Sequence, residues 1–175
     1  WVLFAPYNDK SLMRDVLAYK LGRDLGRYAP RTRYCEVVIN NQYQGIYVLI
    51  EKIKRDNNRV DISKLDPTEN TGDDVTGGYI IKLDKTTGSS NGGWVSSYTP
   101  PGRSGLQMIN FLYDYPKVDE ITAQQKTYIQ QFMANFEGTL SGTLFNDPVQ
   151  GYTRYIDVDS FIDFFIVNEV SKNVD

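Results

Sequence analysis

The 175-residue sequence contains no histidine and a single cysteine, Cys35. Without histidine, Ser-His-Asp and Cys-His nucleophile systems, His-ligated zinc and a histidine pH switch are all excluded. One cysteine excludes an internal disulfide and a cysteine-based metal cluster. Its place in an alternating strand pattern reads as a small buried hydrophobe rather than a reactive thiol. Basic charge is not in excess either. A formal net charge of -3 argues against general affinity for nucleic acid or anionic membrane, since phosphate binding needs a dense basic surface. No apolar run approaches the about 20 residues of a membrane span, and no signal peptide is present. Both ends read as cut from something larger.

What the chain does have is 41% hydrophobic content, enough for one sizeable core or two lobes, and 13% aromatic residues. The stretch from Tyr34 to Lys54 organises the rest. Cys35, Val37 and Ile39 alternate with Tyr34, Glu36 and Val38; after a break, Ile46, Val48 and Ile50 alternate with Tyr47, Leu49 and Glu51. That period of two predicts a β-hairpin, with Asn40, Asn41 and Gly45 supplying the turn. The second strand is apolar on nearly both faces, which predicts a central strand ending in the carboxylate of Glu51. That carboxylate is either a cleft group or the start of a solvated loop.

Before the hairpin, Trp1 to Phe4 predicts a short buried strand, and a helix follows from about Lys10 to Leu25, capped by Asn8 or Asp9 and stopped by Gly26. Arg14 near its start opposes the helix dipole and calls for a partner, Asp9 or a phosphate, unless it is simply solvated. After the hairpin, 55–76 is a polar excursion anchored by Val60, Ile62 and Leu65. Gly77-Gly78 opens a strand, 79–84, whose Lys82 and Asp84 share one face, at a rim or inside a cleft. Residues 86–105 read as a Gly/Ser-rich aromatic flap and 106–115 as a further strand. Thr122 and Gln125 fit a capping box for a helix that buries Tyr128, Ile129, Phe132, Met133 and Phe136 and stops at Gly138. A last helix from Asp159 or Ser160 is apolar nearly all round, which predicts the most buried helix of the chain, with Asn168, Glu169, Lys172 and Asp175 delivered at its end. The carboxylates of 56–74 lack EF-hand spacing, the Gly-Gly pairs lack P-loop or dinucleotide spacing, and nothing marks a glycosidase carboxylate pair.

The ordered series Trp1-Val2-Leu3, Asn8-Asp9, Leu12, Arg14-Asp15, Tyr28 to Thr32, Val37 to Asn40, Tyr43 to Tyr47 and Glu51 resembles the CotH family, the spore-coat-protein-H-like kinases. Gly77 to Lys82, Phe161-Ile162-Asp163, Asn168-Glu169 and Asn173-Val174-Asp175 extend the resemblance over nearly the whole chain. It implies an α+β, atypical protein-kinase-like fold, an antiparallel sheet with packed helices, as a fragment of a two-lobed domain. In it, 1–115 would be the sheet-rich part with one helix and 116–175 the helical part. It further implies ATP and Mg²⁺ as cosubstrates, a protein substrate and an extracellular, cell-surface or spore-surface location. Asp175 would be the catalytic, acceptor-orienting aspartate, Arg14 and Lys82 phosphate or carboxylate partners, and Glu51 a hinge or cleft group. A kinase-like site also needs a phosphate-binding lysine on an earlier strand and a metal-binding aspartate after the catalytic loop. Both would lie outside this fragment, so the isolated piece is expected to lack kinase activity. The alternative is a non-catalytic surface or assembly module whose flap, 88–115, binds carbohydrate or a protein through Trp94, Tyr98 and Tyr113.

Overall fold

The structure, a computed structural model, describes residues 1–86, 92–100 and 108–173. It is α+β, with two three-stranded antiparallel sheets and three α-helices. The chain divides into two compact units, residues 1–53 with 157–175, and residues 54–156.

The first unit holds β1 (Val2–Phe4), α1 (Arg14–Asp24), β2 (Thr32–Ile39), β3 (Gln42–Ile50) and α3 (Val158–Ser171). The sheet order is β1-β3-β2, so β3 is central as its two apolar faces required, and Val48 on it is buried. The hairpin turn is tighter than the sequence suggested. Asn40 and Asn41, at φ 51° and 62°, form a two-residue connection whose two positive φ angles match strand twist. Gly45, at φ 104°, serves a different purpose. The register passes from Val37↔Gly45 to Val38↔Tyr43, leaving Gln44 as the extra residue of a β-bulge. The first strand forms as expected but is not buried, since Val2 and Leu3 are 45% and 49% exposed.

Helix α1 starts four residues later than the pattern proposed, at Arg14, because Leu12 takes a positive φ of 58° and a turn intervenes. Helix α3 departs furthest from expectation. Asp157 caps it by accepting from the Ser160 amide at 3.4 Å, yet none of its residues is buried. Phe161, Phe164 and Phe165 are 51%, 69% and 64% exposed. Its composition created a demand for burial, but within the unit its main helical neighbour is α1, which covers one stripe.

The second unit holds β4 (Ile80–Leu83), β5 (Gly93–Val95), β6 (Asn110–Tyr115) and α2 (Ala123–Ser141), in sheet order β4-β6-β5. Tyr113, Ile121 and Ile129 centre its core, with Tyr79, Ile81, Trp94, Val118, Tyr128 and Phe132 packed around them. The Thr122–Gln125 capping box is present, but α2 runs through Gly138 to Ser141. Gln125 does more than cap. It is 1% exposed, and its amide nitrogen donates to the carbonyls of Asp66 and Glu69 at 2.8 and 3.0 Å, fastening the polar excursion to the helix. Much of the expected 86–105 flap lies outside the described residues; its described part contributes β5. There Trp94 lies 5.0 Å from Phe111 and 5.3 Å from Tyr113, and Tyr113 is 2% exposed. Tyr113 is therefore committed to the core and offers no face to a sugar, while Trp94 packs against that core and stays partly exposed.

Candidate functional site

A cavity of about 1060 Å³ opens in the first unit between the segment leaving β1, one face of α1, the loop after it and one side of α3. The order of construction begins at Asp9. Its Oδ1 accepts from the Ser11 hydroxyl at 2.6 Å and the Ser11 amide at 3.0 Å, and its Oδ2 from the Arg14 amide at 2.9 Å. The Ser11 hydroxyl, then the Arg14 amide, hold the Asp9 carboxyl down at about 2. Asp9 thereby ties the loop to the start of α1 without being its formal cap. Arg14 projects from this junction with its guanidinium 3.9 Å from Asp9 Oδ1 and 77% exposed. At that distance and exposure the pair is loose, leaving the cation accessible to a ligand on the cavity wall. Asp15 and Tyr19, one helical turn apart, also line the cavity; burial first, then the Asp15 charge, pushes the Tyr19 hydroxyl above its ordinary value.

The opposite wall is fixed by Arg27, just past the end of α1. Its Nε donates to Asp163 Oδ2 at 2.7 Å and its Nη1 to Asp157 Oδ2 at 3.2 Å. The Asp163 hydrogen bond is the main reason the guanidinium is held above its ordinary pKa. Because Asp157 also caps α3, one arginine joins the end of one helix to the beginning of the other. Gly22 lets the loop after α1 fold back on the helix, since a Cβ there would stand 3.3 Å from that of Ala29. Lys172 and Asn173, beyond α3, complete the rim, while Phe4, Ile53, Phe164 and Val167 supply apolar surface.

The other sequence-derived candidates fall elsewhere. Glu51 directly follows β3 and is 1% exposed, but it is not on the cavity lining. Its carboxylate accepts from Arg31 Nη2 at 2.6 Å, Nε at 3.2 Å and the backbone amide at 3.3 Å, while the Glu51 amide donates to the Arg31 carbonyl at 2.9 Å. This two-pronged clamp secures the segment entering β2 against the end of the central strand. Lys82 belongs to the second unit, 3.6 Å from Asp84 along the same face of the strand. Asp175 lies outside the described residues. Sequence reasoning missed Arg27 and Asp163, which are separated by 136 positions and carry no local spacing signal.

The cavity is large enough for a nucleotide, and Arg14 and Lys172 are cations suited to phosphate oxygens. The donor set for a metal is another matter. Among the described residues no group of three or more His, Cys, Asp or Glu could hold a metal ion. The fit is therefore to the organic and phosphate parts of a nucleotide. Among the described residues no helix is long and apolar enough to cross a membrane.

Comparison with known proteins adds one finding. No curated protein and no solved structure matches the chain. The model of the CotH family, described as "CotH kinase protein", matches residues 1–175, the full length of the sequence. By that full-length match, this α+β chain belongs to the CotH family.

Proposed function

We propose that the chain is part of a CotH-type phosphotransferase that uses ATP and Mg²⁺ to phosphorylate serine or threonine of a protein, at a cell or spore surface or outside the cell. The observation that carries this reading is Arg14: a largely exposed guanidinium, only loosely engaged by Asp9, on the wall of a nucleotide-sized cavity. Membership of a family described as kinase proteins supports it. So does the chemistry, because phosphoryl transfer depends on positioning and charge neutralisation more than on a strong base, and a chain without histidine is equipped for that. Bound ATP would supply the transferable phosphoryl group. Arg14 and Lys172 would neutralise phosphate oxygens, and the Arg27 bridge would hold the cavity walls in register. Glu51 would act through Arg31, keeping the strand end rigid. Asp175 would orient the acceptor hydroxyl, and Lys82 would serve as a further anion partner.

The test is nucleotide binding followed by transfer. Titration with a non-hydrolysable ATP analogue should saturate, and Arg14→Ala should weaken it about tenfold without changing the melting temperature. In the intact protein, Asp175→Ala should abolish transfer from labelled ATP to protein. An intact protein that neither binds the analogue nor transfers phosphate would overturn the reading.

A further inference from the structure

We propose that the second unit carries a separate binding site for an acidic sugar, a uronic-acid residue of a polysaccharide. The site is a hollow of about 570 Å³ between the C-terminal half of α2, Tyr98 and the segment following the helix. That segment is internally fastened. Asp147 Oδ1 accepts from the Val149 and Gln150 amides at 2.8 and 2.7 Å, and the Gly151 and Tyr152 amides return to the carbonyls of Asp147 and Phe145 at 2.9 and 3.0 Å. Its shape is thus set without borrowing the side chains of Gln150 and Arg154, both of which face the hollow.

Arg154 is the central group. Its guanidinium carbon lies 5.9 Å from the centroid of the Tyr155 ring, and that ring is held by Phe132 and Phe136 at 5.5 and 5.8 Å. The ring attracts the cation at the edge of cation–π range, while among the described residues no carboxylate pairs with it. Around it stand neutral polar groups with spare capacity. Asn135 receives a hydrogen bond from Gln131 on its amide oxygen at 2.8 Å, and among the described residues its NH₂ and the side chains of Gln150 and Thr139 have no hydrogen-bond partner. Tyr98, 36% exposed, is set in place from behind. Its amide donates to Ser96 Oγ at 2.9 Å, Ser96 donates to Glu137 at 2.5 Å, and Gly138 lets the phenol approach α2, where a Cβ would stand 3.0 Å from the hydroxyl.

A forked cation for one carboxylate, amides and hydroxyls for neutral hydroxyls, and an exposed ring beside them match the surface of a sugar acid. A peptide fits less well, because none of the described lining residues belongs to a strand and, beside the Tyr98 and Tyr155 rings, the apolar side chains among them are Ala134 and Leu144.

The experiment titrates the protein at low salt with trigalacturonate and with its methyl ester, following backbone amide resonances. The acid should saturate in the millimolar range or below, with shifts confined to residues of the hollow, and the ester should bind about tenfold more weakly. Arg154→Gln should reduce the acid to the level of the ester at an unchanged melting temperature, and Arg154→Lys should restore only part of the preference. Equal binding of acid and ester, shifts elsewhere, no saturation, or tighter binding of hexaglutamate than of the saccharide would overturn the proposal.

Discussion

In the second unit Leu65, Val75, Phe111, Leu112, Tyr113, Ile121 and Ile129 are buried, whereas among the described Val, Leu, Ile, Met and aromatic residues of the first unit only Val48 is. The first unit instead joins its elements through charge, with Arg31 on Glu51 and Arg27 on Asp157 and Asp163. Its most apolar element, α3, leaves its phenylalanines exposed. Burial is non-directional and tolerates small rearrangements, while a forked guanidinium on a carboxylate fixes an angle and a distance. The unit with the larger cavity is thus the one whose walls are set by directional bonds.

The contrast can be broken or sharpened by substitution. The largest effect is expected in the second unit, where Ile129→Ala removes a side chain only 8% exposed and should cost about 3 kcal/mol in denaturant unfolding. Hydrogen exchange should accelerate across β6 and α2. In the first unit, Arg31→Ala leaves the buried Glu51 carboxylate without its guanidinium and should cost about 2 kcal/mol, less than for a fully buried pair because Arg31 is 59% exposed. The loss should shrink when Glu51→Gln is added, and a purely additive double variant would show that the clamp does not couple the two. Thr122→Ala removes one half of the capping box and should cost about 1 kcal/mol, visible as faster exchange in the first turn of α2.

The smallest effect concerns acid. The Asp9 carboxyl in the folded chain titrates at about 2, below its ordinary 3.8, so its contribution is fully present above pH 3.8 and is lost as pH falls through about 2. A carboxyl-detected titration should show that midpoint. Asp9→Asn should flatten the corresponding part of the melting temperature profile, and an unshifted midpoint would mean that the loop before α1 is not held by Asp9.

Local signals were legible because their causes are local. Asn40 and Asn41 mark a turn because asparagine tolerates positive φ, and Thr122 with Gln125 marks a helix start three residues apart. Gly45 was misassigned to the turn because glycine permits both roles, and only the register against Val37 and Val38 separates a bulge from a turn. The apolar sweep of α3 was read as deep burial, but hydrophobicity states what a surface needs, not what meets it. For the site, Arg14 is visible as an exception to helix electrostatics, and Lys172 as part of the polar end of an apolar helix. Arg27 with Asp163, and the burial of Tyr113 in a core, are not, since they depend on groups brought together from distant positions.

By itself the sequence determined the α+β class, the hairpin with a carboxylate at its end, the capped second helix, and a chemistry without histidine, disulfide or membrane-spanning helix. It also carried the ordered residues through which CotH membership is recognised. Tertiary structure alone decided which charges pair, that Glu51 grips Arg31 rather than lining the cavity, that Gln125 fastens a remote loop, and which aromatic rings remain exposed. The physical reason is range. Turn dihedrals and helix caps are settled within a few bonds, whereas a buried ion pair or a cavity wall exists only after loop closure has brought distant segments within hydrogen-bond reach.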